Sequence, residues 1–389
     1  MSLSNQLFKI IFWSTVKLRG ESFATELAAL KKSQYFSSIE IYDLQLRKLN
    51  ELLKTCSSIA HYQNRLPLKL TTIEELSELP LLTKEEIRNN PDKLTSGKGI
   101  GQRLKTSGGS TGAPVTLRKN SRGVAQEMAA QWRGYEWAGV NIGDRQARFW
   151  GTPKNTPEKL RSKLIDFICH RIRITAFNYD MRSFQEAQER LTKFSPLYLY
   201  GYTSIISEFS DYLKTSKTPP PLSIKSIITT AEVLDEVTRS NIENTFNCKV
   251  YDEYGCGELG TIAHECEAGK LHVNSENLIL EILDEKGNQQ PHGLPGEIVV
   301  TDLTNHTMPL IRYRLMDYGT LSTTPCSCGR TLPVLEKVHG RQYDILYNNE
   351  GRKFHGEFFL YILEDARKRN MHTSGVQFVQ DPDLSLTVN

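Results

Sequence analysis

From residue 145 to about 260 the chain alternates short apolar runs with helical repeats, and this rhythm limits the possible folds more than any other feature. Residues 147–150, 198–200, 224–230 and 249–251 read as strands, and 184–193, 205–213 and 234–246 read as helices between them. Strands joined through helices run parallel, so the pattern predicts an α/β layered domain with a parallel sheet. Ligands of such sheets gather at the carboxyl ends of the strands. Thr229-Thr230-Ala231-Glu232 and Tyr254-Gly255 fall at or just after strand ends, where a site is expected.

Upstream lies Thr106-Ser107-Gly108-Gly109-Ser110-Thr111-Gly112, seven small residues that suit neither a helix interior nor a core. Glycine lets backbone N–H groups approach an anion closely and the hydroxyls add donors, so the run suits a pyrophosphate or triphosphate. A flexible linker has the same composition. Residues 115–117 read as a strand after it, and 121–137 as a helix with Val124, Met128 and Trp132 on one face. Before it, residues 20–60 carry helical spacing, and Thr83 with Glu86 forms a capping box at the start of a short helix.

Beyond about residue 270, apolar pairs and triplets alternate with turns such as Glu285-Lys286-Gly287-Asn288, which predicts a β-rich subdomain to about residue 339. Residues 340–389 form one further short α+β unit. The expected organisation is thus a large domain over 1–339 and a small, incomplete C-terminal domain over 340–389.

The net charge of +3 and ordinary globular composition give no reason to expect a nucleic-acid partner. No run of about 18 apolar residues exists to span a membrane. The apolar start, residues 7–18, lacks a small-residue cleavage site and reads as a helix packed on the main body, with peripheral membrane contact as the alternative. Seven cysteines, an odd count, argue for a reducing, cytoplasmic setting without a disulfide framework. Cys56, Cys169 and Cys248 read as packing residues.

Four further clusters carry chemistry. In Tyr251-Asp252-Glu253-Tyr254-Gly255-Cys256-Gly257-Glu258 an acidic residue after a Tyr-Gly turn can hold Mg²⁺, and the Tyr ring can flank a planar base. In Ile311-Arg312-Tyr313-Arg314-Leu315-Met316-Asp317 a strand-end Asp can accept both hydroxyls of a ribose, or pair with a neighbouring Arg. Gly340-Arg341 supplies a cationic donor. Cys266, His272, Cys326 and Cys328 offer three thiolates and an imidazole, enough for a closed tetrahedral zinc site, or else are simply reduced thiols. A basic stretch, Lys159, Arg161, Lys163, His170, Arg171 and Arg173, reads as a solvated helix face or as a grip on an anionic acceptor.

A phosphate loop, then Tyr-Gly-x-x-Glu, then Arg-Tyr-Arg-x-x-Asp, then Gly-Arg is an order that resembles the adenylate-forming enzymes. Leu79-Pro80-Leu81-Leu82-Thr83-Lys84, the run at 308–317 and Cys-Ser-Cys-Gly-Arg at 326–330 resemble the phenylacetate–CoA ligase-like branch, which includes CapK-type capsule-biosynthesis proteins. The resemblance covers roughly residues 70–350. It implies that Ser107, Gly108, Gly109, Ser110, Thr111 and Gly112 hold the phosphates of ATP. It places Ala231, Glu232, Tyr254 and Gly255 near adenine, Glu258 on Mg²⁺ and Asp317 on the ribose. Arg341 becomes the hinge to a small mobile domain. Tyr200, Gly201, Tyr202 and Cys256 fall near the carboxylate substrate, and the cysteine–histidine set matches a structural zinc site of some relatives. Thr111, Glu258 and Arg341 are the expected catalytic groups.

The implied reaction has two steps. A carboxylate attacks the α-phosphorus of ATP, giving acyl-adenylate and pyrophosphate, and an acceptor such as CoA then takes the acyl group. An acceptor other than CoA, in capsule or exopolysaccharide synthesis, is the alternative, and a non-catalytic nucleotide-binding scaffold is the third reading; a homodimer is a further expectation. Two departures stand out: Ala113 and Pro114 follow Gly112 where many relatives carry Lys, and neither Lys353 nor Lys368 sits in the motif of the superfamily's catalytic C-terminal lysine.

Overall fold

The computed structural model describes residues 3–19, 22–97, 102–106, 115–151, 156–175, 180–341, 345–347, 353–355, 378–381 and 384–388. The N-terminal quarter is helical: α1 (Leu3–Leu18), α2 (Phe23–Ser33), α3 (Ser38–Cys56) and the short α4 (Lys84–Asn89). Ser37 and Glu40 close a capping box on α3, and Thr83 with Glu86 closes the expected one on α4. A hairpin of β1 (Arg103–Thr106) and β2 (Thr116–Lys119) follows, with Thr106 paired to Thr116. The Gly/Ser run is therefore the connection between two antiparallel strands. Its residues 107–112 lie outside the described residues.

Next come α5 (Ser121–Trp137), β3 (Gln146–Trp150), α6 (Thr156–Ile168), β4 (Arg171–Thr175), α7 (Met181–Phe194) and β5 (Tyr198–Tyr202). Then follow α8 (Thr203–Thr215), β6 (Ser226–Thr230), α9 (Glu236–Phe246) and β7 (Lys249–Cys256). Strands β4, β3, β5, β6 and β7 pair in parallel, as the strand–helix rhythm requires.

The stretch after residue 256 supplies β8 (Gly260–Glu265), β9 (Leu271–Val273), β10 (Leu278–Leu283), β11 (Pro295–Asp302), β12 (Tyr313–Leu321) and β13 (Val334–Arg341). These strands extend the parallel set into one eleven-stranded mixed sheet, ordered β10-β11-β12-β13-β9-β8-β7-β6-β5-β3-β4. Past β13 the described residues form two short hairpins, β14 (Ile345–Tyr347) with β15 (Lys353–His355) and β16 (Phe378–Gln380) with β17 (Leu386–Val388).

Side chains of the parallel strands alternate between two apolar layers. Tyr198, Tyr200, Ile228 and Tyr251 pack with α1, α2 and α5, while Phe149, Leu199, Ile227 and Val250 pack with α7, α8 and α9. A one-residue slip would exchange the two sets, so the register is firmly fixed.

Helix α5 departs from the single-faced pattern expected of it. Val124 and Met128 are only half-buried, whereas Gly123, Ala125, Ala129 and Ala130 are buried. The helix lies between the sheet and α2, and small residues allow the close approach: a Cβ on Gly134 would collide with the His264 ring. Arg133, fully buried on this helix, pairs with Glu276 and donates to Asn274 Oδ1 at 2.7 Å and Leu30 O at 3.0 Å.

Candidate active site

The carboxyl edge of the parallel strands carries two adjoining sets of polar groups. On one side, the Tyr254 hydroxyl donates to Asp317 Oδ2 at 2.8 Å, joining β7 to β12. Asp317 is in turn the cross-strand partner of Arg341. Met316, just before Asp317, has φ of +65°, a left-handed conformation costly for a non-glycine residue. Strand β12 is thus bent at the position that carries the carboxylate.

Glu258 sits past the end of β7, buried, and its Oε1 accepts the Tyr313 hydroxyl at 3.2 Å with Lys84 Nζ at 3.6 Å. Lys84 arrives there because residues 79–84 dock along the start of β12. Leu82 N–H donates to Arg312 O at 2.9 Å, Arg314 N–H donates to Leu82 O at 3.0 Å, and the Arg312 guanidinium donates to the carbonyls of Ser77 and Leu79. Two segments more than 220 residues apart in sequence are locked into one unit. Cys256 lies on this side, its thiol pushed up by burial and by the charges of Glu258 and Asp317.

At the end of β6, Ala231 has φ of +69° and turns the chain sharply. The Glu232 carboxylate does not face the sheet. It accepts from Ser204 N–H at 2.7 Å and Ser204 Oγ–H at 3.0 Å, capping the amino end of α8, whose N-cap residue Tyr202 supplies no side-chain bond. Gly201 is required by packing: a Cβ there would collide with Phe149 on β3.

The second set lies on the α5 face of the same strand ends. Trp150 and Tyr202 stack with centroids 4.4 Å apart and planes 7° from parallel. The Arg148 guanidinium lies 4.5 Å from the Trp150 ring and 4.9 Å from that of Tyr200, and its Nε is buried without a hydrogen-bond partner among the described residues. Beyond Tyr200 stands Glu253, whose Oε1 accepts from Tyr200 Oη at 3.3 Å and Gln131 Nε2 at 3.4 Å. Its Oε2 has no partner among the described residues, and burial pushes its carboxyl up to about 7.

Sequence reasoning singled out Tyr200 and Tyr202 but missed Gln131, Arg148, Trp150 and Glu253. The missing signal is strand alternation: Glu253 precedes Tyr254 and so faces the opposite side of β7, in line with Trp150 and Tyr202 on β3 and β5.

At the hairpin strands that flank the Gly/Ser run in sequence, Glu127 of α5 pairs with Lys105 of β1 and, at 3.3 Å, with the buried Lys119 of β2, which also meets Asp302 at 3.3 Å. Glu127 packs against Gly260, two residues past Glu258, where φ is +80° and any Cβ would collide with the Glu127 side chain.

Cys266, His272, Cys326 and Cys328 form a separate cluster whose potential ligand atoms all lie within 4.8 Å of one another. Cys266 Sγ and Cys326 Sγ are 3.7 Å apart, close to the edge of about 3.8 Å expected for two thiolates on tetrahedral zinc. Cys328 Sγ lies 3.2 Å from His272 Nε2. His272 Nδ1 is 3.0 Å from the Leu332 carbonyl, which fixes the proton on Nδ1 and turns the Nε2 lone pair toward the thiols. Trp137, Ile41 and Leu332 give the cluster an apolar wall. The donor set and its support fit zinc.

The basic stretch at 159–173 is divided by the fold. His170 is buried, stacked on Phe8, with Nδ1 2.7 Å from Gly143 O. Arg171 and Arg173 pair with Asp166, while Lys159, Arg161 and Lys163 stay exposed on α6.

No family model matches the chain. It is 26% identical over 321 residues to protein CapK of Staphylococcus aureus, an alignment covering 80% of this chain and 70% of that protein. It is 29% identical over 151 residues to a phenylacetate–coenzyme A ligase of Thermus thermophilus, covering 38% of this chain and 34% of the relative. Among solved structures, 2-hydroxyisobutyryl-CoA ligase in its postadenylation state superposes with a TM-score of 0.73, over 92% of this chain and 79% of that one at 16% identity, a likeness of fold.

Proposed function

From the premise that this chain is an adenylate-forming protein of the phenylacetate–CoA ligase-like, CapK type, we propose that it activates a carboxylic acid as its acyl-adenylate and passes the acyl group to an acceptor, with CoA the first candidate. The observation that carries the reading is the Tyr254–Asp317 hydrogen bond. It joins the residue expected at adenine to the one expected at the ribose, with Arg341 as the cross-strand partner of Asp317.

In this reading Asp317 accepts both ribose hydroxyls, Tyr254 flanks the base, and the run at 107–112 donates to the phosphates. Glu258 fits a Mg²⁺ role because its carboxylate already meets a cation, Lys84, beside an anchoring hydroxyl from Tyr313. Mg²⁺ there would offset negative charge on the phosphate oxygens. Positioning and charge neutralisation suffice for attack by a carboxylate, so no protein nucleophile is required.

The acid occupies the α5 side of the strand ends. Glu253, Arg148 and Tyr200 make that wall polar, which favours an acid carrying hydrogen-bonding groups over a bare aryl acid. Cys266, His272, Cys326 and Cys328 would hold a structural zinc ion, which would tie the β8–β9 turn to residues 326–332.

The test is acid-dependent exchange of labelled pyrophosphate into ATP across a panel of polar and aryl acids. Exchange with at least one acid, abolished in Glu258→Ala, supports the reading, and CoA-dependent AMP release then identifies the acceptor. ATP binding with no exchange for any acid would establish the scaffold reading instead.

A further inference from the structure

The face made by α1 and α6 is apolar, exposed and edged by cations. Eight of the twenty exposed large apolar side chains among the described residues lie on these two helices. On α1, Leu3, Leu7 and Ile10 repeat at intervals of four and three residues and are 86%, 55% and 64% exposed. On α6, Leu160, Leu164 and Phe167 repeat at the same intervals and are 71%, 60% and 57% exposed. Such spacing sets each trio on one side of its helix.

The two helices are physically joined. Phe8 meets Phe167 edge-on at 5.3 Å and stacks on His170 at 3.7 Å. Helix α1 is also seated on the body of the protein. Phe12 packs against Phe23 and Trp132, Asn5 donates to Asp144 at 2.8 Å, and Gly143 lies so close that a Cβ there would collide with the α1 backbone. The outward stripe is therefore held in place, and its apolar side chains do not fold back onto the core.

Charge selects the occupant. Lys9, Lys17, Arg19, Lys159, Arg161 and Lys163 are all exposed on or beside these helices. Against these six cations stand three carboxylates among the described residues: the exposed Glu158, Asp166, which is tied to Arg171 and Arg173, and the buried Asp144, which is bonded to Asn5. The whole chain carries only +3, so basic charge is concentrated here. An apolar stripe flanked by lysine and arginine is the pattern of an interfacial helix, whose apolar side enters the headgroup boundary while its cations meet anionic lipid. No helix among the described residues is long and apolar enough to cross a membrane, so the attachment is to a surface.

We propose that the α1–α6 face docks this protein on the surface of a bilayer containing anionic phospholipid. This inference does not depend on the adenylation reading.

Flotation of the full chain with vesicles of mixed phosphatidylglycerol and phosphatidylcholine, against phosphatidylcholine alone, tests it. Binding is expected to the mixed vesicles alone, to fall in high salt, and to weaken about fivefold for each cation removed in a series ending in Lys9→Gln with Lys163→Gln. The pair Leu7→Glu with Leu164→Glu should release the protein from vesicles while its thermal midpoint and its oligomeric state by light scattering stay unchanged. Equal binding to both vesicle types, absence of binding to the mixed vesicles, or binding retained in both sets of variants would overturn the proposal. So would a solution dimer that the Leu7 and Leu164 pair splits, since a second copy would then cover this face.

Discussion

The Tyr254 hydroxyl donates to Asp317 Oδ2 across 2.8 Å, linking two strands that are not neighbours in the sheet. If this pair holds the nucleoside, its two members should differ in weight. Tyr254→Phe removes one neutral donor and should weaken ATP binding about fivefold. Asp317→Ala removes a charged acceptor for two hydroxyls and should weaken it about 10- to 100-fold. Titration calorimetry with ATP and with 2′,3′-dideoxy-ATP checks the assignment: Asp317→Ala should leave the dideoxy analogue's affinity nearly unchanged. An equal loss for both nucleotides would remove Asp317 from the ribose.

The pH dependence of stability follows from Glu253. Burial raises its carboxyl from 4.5 to about 7. Below about 4.5 the group is protonated in both the folded and unfolded chain. Between about 4.5 and about 7 the unfolded chain releases the proton and the folded one retains it, so stability falls as pH rises and then levels off. Asp252, raised to about 7 first by burial and then by Glu265, adds to this fall. His264, lowered by burial to about 4, acts in the opposite direction between there and its ordinary 6.5. Both remain in Glu253→Gln, and the Glu253 charge also helps to raise Asp252, so the variant's unfolding free energy in urea minus that of the parent reports Glu253 together with its coupling to Asp252. That difference should grow from about pH 5 to about pH 7 and level off just above it, at about 3 kcal/mol. A difference independent of pH would show that Glu253 titrates normally.

The sequence conveys the core of this fold because two periodicities are clean there. Residues 147–150, 198–202, 226–230 and 249–251 alternate strictly across a sheet covered on both faces, and the helices between them begin at good N-caps such as Asp180 and Asp235. The candidate site was legible where its residues lie in motifs that are contiguous in the chain. Tyr254, Glu258 and Asp317 are of that kind, and the structure gathers them. Glu253, Arg148 and Gln131 were not, because each belongs to a different element and is informative only once β3, β5, β7 and α5 are stacked. The pairing of residues 79–84 with the start of β12 was equally hidden: both segments were conspicuous, but nothing local said they touch. Glu232 belongs to the segment expected beside adenine, and its carboxylate caps α8, a bond that no local spacing announces.

Zinc should be present at one ion per chain by mass spectrometry of the purified protein. His272→Ala and Cys328→Ser should each weaken the metal site and lower the thermal midpoint, and a strong chelator should lower the parent's midpoint and leave that of Cys328→Ser nearly unchanged. The apolar wall formed by Trp137, Ile41 and Leu332 makes thiolates costly there unless a cation pairs with them. Metal-free protein with a midpoint insensitive to both the chelator and these substitutions would leave the four residues as packing groups.

Glu127 couples the strands that flank the Gly/Ser run to the turn after Glu258, so disturbing it should reach the nucleotide from a distance. Lys119, buried with Glu127 and Asp302 around it, is held in its charged form by those carboxylates against the penalty of burial. Gly260→Ala places a Cβ in a left-handed conformation and into the Glu127 side chain, which should cost about 2–3 kcal/mol of stability in urea unfolding. It should also weaken ATP binding. Glu127→Gln keeps the volume but removes the charge that Lys105 and Lys119 share, and should weaken ATP binding with a smaller loss of stability. If both variants bind ATP as the parent does, the Lys105–Glu127–Lys119 group supports the fold alone and has no hold on the nucleotide.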